Sequence, residues 1–467
     1  MTGRLHAIVF FLLIAAATAD RRGWEISGEG GDLRTPFKLE KSETVVKTEG
    51  GEIRVFAAGH PLVRRWIPMH IGFITMEPET LLIPHYIDAN LIIFLRRGEG
   101  KIGWIHKDNL VERRLKPGDV LRIPAGSAFY LVNIGKGQQL QIICSFDRVE
   151  ASAIDDSVSP YQSFFIGGGE YPRSVLAGFD ISTLTSAFNA TSEEVGSLRS
   201  ARVGGPIVFL TGEGTDRPHQ IAEAVRSAMG EFKQRKWLRQ DDGEGEGERE
   251  GVRKWAAGVL RSIFLGFGSN CEGAAAEENK AQRRGGGEAV KAPDAYNIYD
   301  RDPDFRNKFG WSVELNEHDY DPLKESDISV FFVNLTAGSM VAPHVNPRAT
   351  EYGIVIAGAG TVEVVYPNGT QAVKAAVKEG DVFCVPRFFP FCQTAAREGP
   401  MEILGFTTSS RRNRPQFLAG ASSILRAMMG PELAAGFGLP EEKLRRLAMA
   451  QNESVILPSS PETEERE

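Results

Sequence analysis

Cysteine is scarce in this sequence: Cys144, Cys271, Cys384 and Cys392 are the only four in 467 residues, and none stands in CxxC spacing. That excludes a disulfide-stapled scaffold and a thiolate zinc site, so a hydrophobic core must hold the fold. Cys144 lies in the apolar run Leu140 to Phe146 and reads as a small buried hydrophobe, while Cys384 and Cys392 flank a turn and are expected to stay unpaired. Long apolar runs are missing as well. Only the 13 residues from Ala7 to Ala19, behind Arg4, are nearly continuous, which is short of the roughly 20 needed to span a bilayer. They end Ala17-Thr18-Ala19, so residues 1–19 read as a cleaved secretory signal peptide with Asp20 opening the mature chain, and no membrane span is expected. Excess positive charge is absent too. Lys plus Arg number 54 against 61 Asp plus Glu, a formal charge of -7, which argues against a nucleic-acid partner. Histidines number eight, His6 among them in the signal peptide, and neither HExxH nor GxSxG occurs. The runs Gly167 to Gly169 and Gly285 to Gly287 are followed by neither Lys-Ser nor Lys-Thr, so they read as turn and linker glycines and not phosphate loops.

Turn chemistry, by contrast, is abundant. The 50 glycines and 25 prolines, irregularly spaced among 42% hydrophobic residues, exclude a long helical bundle and a collagen-like repeat and predict mainly β-structure. The length predicts about two or three domains. Thr80 to Phe146 and Val330 to Thr407 share a texture of short β-branched and aromatic runs punctuated by Gly, Pro and Asp. They also share marks in one order. Pro84-His85 and Pro343-His344 open apolar strands expected to end at Gly98 and Gly358. Gly118-Asp119-Val120 precedes Pro124 as Gly380-Asp381-Val382 precedes Pro386, and Leu176-Ala177-Gly178 matches Leu418-Ala419-Gly420 at the start of a helical stretch. This is an internal duplication. A unit with Gly-Asp before a strand and Pro at the strand's end suits a small antiparallel jelly-roll barrel.

At this point the sequence resembles the bicupins, and among them the vicilin-type (7S) seed globulins. The resemblance is carried by Arg122-Ile123-Pro124-Ala125-Gly126-Ser127 with Tyr130-Leu131-Val132-Asn133, by Asn307-Lys308-Phe309-Gly310 and Ala342-Pro343-His344-Val345-Asn346-Pro347, by Asn413 to Gly420, and by Ser454-Val455-Ile456-Leu457. It implies two cupin barrels, each followed by a helical arm that joins subunits into a homotrimer. It also implies a non-enzymatic nutrient reservoir, delivered through the secretory pathway to a protein storage vacuole or the cell exterior. The organisation expected is a signal peptide (1–19), an N-terminal barrel with arm (20–239), a linker (240–292), a C-terminal barrel with arm (293–458) and an acidic tail (459–467).

Metal-dependent members of the cupin superfamily hold a cation with three His and one carboxylate. In the second repeat His344 and Glu351 keep their places, but Asn346 stands where a second His would be and Phe391 where the third would be, with Phe388 in place of a usual Gly. Asn is a weak ligand and Phe none, so this set reads as a vestigial site in a plugged barrel, with His344 and Glu351 expected as a hydrogen-bonded pair. The first repeat keeps only His85. Leu91 falls at the carboxylate position and Phe129 at the third-His position, and Asn133 keeps the position that follows. No catalytic residue, cofactor or resident metal is expected. Two rival readings are a metal-dependent oxidase or decarboxylase using His344 and Glu351, and a binder of a sugar or hormone in a mouth lined by Phe388, Phe389 and Phe391.

Residues Ile181 to Arg202 and Ile221 to Leu238 show helical apolar spacing and read as the first arm. Gln240 to Lys291, with its acidic run Asp241 to Glu248, reads as a flexible linker open to processing proteases. Within it Val252, Trp255, Ala256, Val259, Leu260, Ile263, Phe264 and Phe267 fall on one helical face beside Arg253, Lys254 and Arg261, suited to docking on its own protein or to a membrane surface. Four Asn-x-Ser/Thr sequons occur, at Asn189, Asn334, Asn368 and Asn452. Asn368-Gly369 in a hairpin turn is the strongest glycosylation candidate, with Asn452 and Asn189 also open, whereas Asn334 lies in an apolar strand too constrained for modification.

Overall fold

A computed structural model describes residues 37–39, 42–56, 69–148, 161–169, 171–201, 203–210 and 292–458. The signal peptide, the linker with its amphipathic segment, the stretch Ile221 to Leu238 and the acidic tail lie outside the described residues. What is described is mainly β, two antiparallel barrels in sequence. In the first, one sheet runs through Asp119–Ile123, Ala89–Arg97, Leu140–Arg148, Met69–Met76 and Gly51–Phe56, and the other through Thr80–Ile87, Phe129–Asn133, Gly100–His106 and Asn109–Leu115. The second repeats the plan, with Val382–Val385, Glu351–Val365, Met401–Thr407, Ser329–Leu335 and Gly310–Leu315 side by side.

The repeat marks work as turn chemistry. Gly98, Gly118, Gly358 and Gly380 all have φ between 79° and 91°, where an L-residue pays a steric penalty and glycine does not. Gly358 differs from expectation in its consequence. The strand does not end there but continues as one 15-residue element to Val365, with a register shift between Val355 and Ala357. The positive φ bends the strand, so that its first half pairs with Met401–Thr407 and its second half with Gln371–Lys378 and Pro390–Ala395.

Strand Ala89–Arg97 is apolar on both faces because each face meets a different core. Leu91, Ile93 and Leu95 point into the first barrel with Trp104, Phe129 and Phe146, while Ile92 and Phe94 point out against the second barrel. In the second barrel Tyr352, Ile354, Phe332 and Phe406 point out, and Val355, Phe383, Val385 and Phe391 point in. The outward faces thus form a third core that belongs to neither barrel alone. Its rim is polar, with Arg96 bonded to Glu379 and the Ile356 carbonyl and Arg122 reaching Glu325, and within the core the buried Tyr352 hydroxyl accepts the Met69 N–H at 3.2 Å.

The chain also exchanges strands across this interface. Lys38–Leu39, ahead of the first barrel, pairs with Val382 and Phe383 of the second. Tyr296–Asn297, ahead of the second barrel, pairs with Asp119 and Val120 of the first, at the equivalent position of the repeat.

Each barrel is followed by short helices: α1 (Ile181–Phe188) and α2 (Ser192–Arg199) after the first, α3 (Ile424–Ala427), α4 (Pro431–Phe437) and α5 (Glu441–Met449) after the second. The helical stretch expected from Ile181 breaks at Asn189, whose φ of 50° ends α1, and Thr191 and Glu194 form the capping box that starts α2. Each of α1, α2, α4 and α5 buries one residue, Leu184, Val195, Ala434 and Leu444, and leaves other apolar groups in solvent. Cys144, Cys384 and Cys392 are all free thiols, as expected.

Candidate functional site

The vestigial metal positions lie where strands converge at one end of the second barrel. His344 pairs with Phe391 on one side and Phe417 on the other. Its ring sits 4.1 Å from that of Phe391 and 5.5 Å from that of Phe417, and its Nδ1–H donates to the Ala342 carbonyl at 2.8 Å. Glu351 opens the long strand and is buried, accepting from Asn346 Nδ2 at 2.7 Å and from Gln393 Nε2 at 3.1 Å. The expected His344–Glu351 hydrogen bond is therefore replaced. The imidazole is turned to a backbone carbonyl and sandwiched by phenyl rings, and amide N–H groups take the carboxylate.

The amides extend the network. Asn346 Oδ1 accepts from Asn413 Nδ2 at 3.0 Å, and the Asn413 backbone N–H donates to Glu314 at 2.6 Å. Glu314 also faces Ser329, whose hydroxyl is 2.6 Å from that of Thr407. Burial pushes the carboxyl of Glu351 up to about 7, against the pull of its two amide donors and with the help of Glu314. Burial likewise pushes Glu314 up to about 7, with Asp304 adding to the rise. Burial lowers His344 to about 4, so the ring is neutral at pH 7.

The first barrel carries the same arrangement without the carboxylate. His85 Nδ1 bonds the Ile83 carbonyl at 2.8 Å, the ring packs 4.3 Å from Phe129 and 5.4 Å from Phe165, and burial lowers it to about 4. Leu91 pairs with Ile123 as Glu351 pairs with Val385, so it occupies the carboxylate position as the spacing indicated. Asn133 is a backbone clasp: its Nδ2 donates to the carbonyls of Met76, Glu77 and Gln138, and its Oδ1 accepts from Gly135.

This donor set does not fit a resident metal ion. Both Glu351 oxygens are engaged by amide N–H groups, the Asn346 oxygen is engaged by Asn413, and Phe391 covers the imidazole. Among the described residues no three His, Cys, Asp or Glu side chains meet in a metal-binding cluster.

The family model for cupins matches residues 37–195 and again 296–445. A vicilin-like seed storage protein of Arabidopsis thaliana is 46% identical over 445 residues, covering 94% of this chain and 81% of that protein. The chain belongs to the vicilin-like seed storage proteins of the cupin family. Solved vicilins share its fold: that of Capsicum annuum superposes with a TM-score of 0.70 at 21% identity and that of Corylus avellana with 0.69 at 22%, each match covering 91% of this chain and 100% of the other.

For a vicilin-like chain the most informative departure is Phe388. It takes the place of Gly126 in the first repeat and keeps the glycine's conformation, φ 71° against 75°, with its N–H on the Asn346 carbonyl as that of Gly126 is on Ile87. A bulky residue in that region is strained. Phe388 is also exposed, whereas Phe389 packs against Phe37 and Tyr366, and Phe391 against His344. The three phenylalanines therefore do not line one mouth: Phe389 and Phe391, two residues apart, share the face buried in the barrel core, whereas the left-handed turn at Phe388 throws its ring outward. Of the sequons, Asn189, Asn368 and Asn452 are exposed, and Asn334 is half-buried and bonded to Glu402. Sequence reasoning passed over Glu314 and Gln393, which no local pattern ties to Glu351.

Proposed function

We propose that this chain is a non-enzymatic nutrient reservoir. It is delivered through the secretory pathway to a storage vacuole or the cell exterior, assembles as a homotrimer through its arms, and carries glycans at Asn368, Asn452 and Asn189. The linker is the segment that processing proteases meet. The observation that carries the reading is the filling of the second barrel's chemical positions: Phe391 lies on the imidazole of His344 while Asn346 and Gln393 occupy Glu351. A site with no open coordination position and no free base has nothing with which to turn over a substrate.

Elemental analysis by plasma mass spectrometry on protein purified without chelator or affinity-tag metal tests this directly. Metal well below one per chain, unchanged in His344→Ala, is the expected result. Near-stoichiometric metal that disappears in the variant would move an oxidase or decarboxylase to first place.

Trimer assembly is supported by apolar groups that the arms leave in solvent: Phe179, Ile181 and Leu198 around the first, Met428, Phe437 and Leu447 on the second. Leu447, 58% exposed, gains nothing where it stands in a lone chain. Leu447→Glu is expected to shift the sedimenting species from three chains to one. Leu110→Glu, equally exposed at 56% but away from the arms, should leave it unchanged. A trimer that survives Leu447→Glu removes this part of the proposal.

A further inference from the structure

Arginine is concentrated where three loops meet at the end of the second barrel. Residues 346–350, 386–389 and 409–414 are tied to one another. The Phe388 N–H donates to the Asn346 carbonyl, Thr350 and Thr408 bond each other through backbone and hydroxyl, Arg387 N–H reaches the Thr350 hydroxyl, and Asn413 Nδ2 bonds Asn346. Arg348, Arg387, Arg411, Arg412 and Arg414 all stand exposed on these joined loops, which also carry the exposed ring of Phe388.

Arg412 lies 3.7 Å from Asp304, which Arg301 already holds. The guanidinium groups of Arg348, Arg387, Arg411 and Arg414 have no carboxylate partner among the described residues, Arg387 lying instead 5.8 Å from the centre of the Phe388 ring. The nearby acids are committed elsewhere: Glu317 and Asp327 accept from Ser410, and Glu314 from Asn413. A local cluster of unpaired cations on a chain of net charge -7 is not accounted for by solubility, which scattered charge of either sign supplies.

We propose that this arginine rim binds a small, densely phosphorylated anion. Guanidinium groups grip phosphate oxygens through paired N–H donors, and several on one rim favour a ligand that presents several phosphates within a short span. The overall negative charge sets the same limit on size. Beyond a screening length of about 8 Å at physiological salt the attraction of the rim fades, so an extended polyanion reaching over the rest of the surface gains little. A lipid surface is the less suited source, since Phe388 is the one large apolar side chain exposed on these loops and a single ring anchors weakly.

Isothermal titration of the full mature chain with inorganic tripolyphosphate tests the site, with orthophosphate and phosphatidylserine vesicles as separate arms. Saturable binding at one site per chain is expected. It should weaken about tenfold or more in Arg387→Ala with Arg414→Ala, weaken by a similar factor between about 20 and 200 mM salt, and weaken less in Arg387→Lys with Arg414→Lys, which keeps the charge but not the paired donors. An unchanged melting midpoint shows that the double variant is folded, which these exposed positions favour. No saturable binding, or equal affinity in wild type and the alanine variant, overturns the proposal. Vesicle binding that is lost in Phe388→Ser, without tripolyphosphate binding, overturns it in favour of a lipid surface.

Discussion

Phe332→Ala is expected to destabilise the whole protein by about 3–5 kcal/mol, the range for deleting a buried phenyl ring and leaving a cavity. The residue is 1% exposed, stacked on Trp311 at 5.0 Å and edge-on to Tyr299 at 5.5 Å. Its neighbours in the shared core include Ile71, Ile92, Phe94 and Ile143 of the first barrel. A cavity there loosens both barrels at once, so calorimetry should show a single endotherm displaced downward as a unit. The exchanged strands work in the same direction. Unfolding either barrel removes the partner of Lys38–Leu39 or of Tyr296–Asn297, and so part of the other barrel's sheet. Two endotherms, of which only the later-melting or the earlier-melting one moves, would show that the barrels are energetically separate and that the shared core is a contact of convenience. The consequence for a storage protein is practical. Cleavage within residues 211–291 leaves both sides of this core intact, so the halves should stay together after processing.

The repeat was legible because its marks are residues with few substitutes. Gly118 and Gly380 need a left-handed backbone, and Pro124 and Pro386 end strands at the same register, so the spacing survives where side chains have diverged. The pairing of Leu91 with Ile123 and of Phe391 with His344 was legible for the same reason, since both residues sit at fixed distances from those marks. The shared core was not. An apolar run such as Ala89 to Leu95 shows that both faces are buried but not against what, and the second face meets residues more than 200 positions away. Strand exchange at Lys38 and Tyr296 was hidden likewise, because each segment is two residues long and carries no periodicity. The ring orientation of His344 depends on a carbonyl two residues away competing with a carboxylate seven residues away. Spacing alone favoured the carboxylate, but burial of the imidazole beside Phe391 and Phe417 favours the neutral tautomer that donates from Nδ1. Glu314 entered the network only through a backbone N–H at Asn413, a contact no side-chain pattern encodes.

Replacing Glu351 by Gln is expected to change how stability depends on pH more than it changes stability itself. The folded-state carboxyl lies near 7 and the unfolded one near 4.5. Below 4.5 both states are protonated. As pH rises from there to 7, the unfolded chain releases a proton that the folded chain keeps, so stability falls across that window and levels off above it. The full loss is on the order of 3 kcal/mol at about 1.4 kcal/mol per unit, and Glu314 adds a loss of the same sign. His85 and His344 oppose it. Their folded values near 4 lie below the unfolded 6.5, so the unfolded chain takes up protons first and stability falls as pH drops from 6.5 toward 4. Between about 4.5 and 6.5 the carboxyl and imidazole contributions have opposite slopes and largely cancel, so these four groups together leave the wild-type profile level there. Glu351→Gln removes one carboxyl slope while keeping an amide of the same shape against Asn346 and Gln393. Its melting midpoint should therefore rise with pH from 4.5 to 6.5 where that of the wild type is level, and its advantage should be largest above pH 7. His344→Gln should tilt the profile the other way. Parallel curves for wild type and Glu351→Gln from pH 4 to 8 would mean that Glu351 titrates as an ordinary carboxyl and that its hydrogen bonds, not its burial, govern its charge.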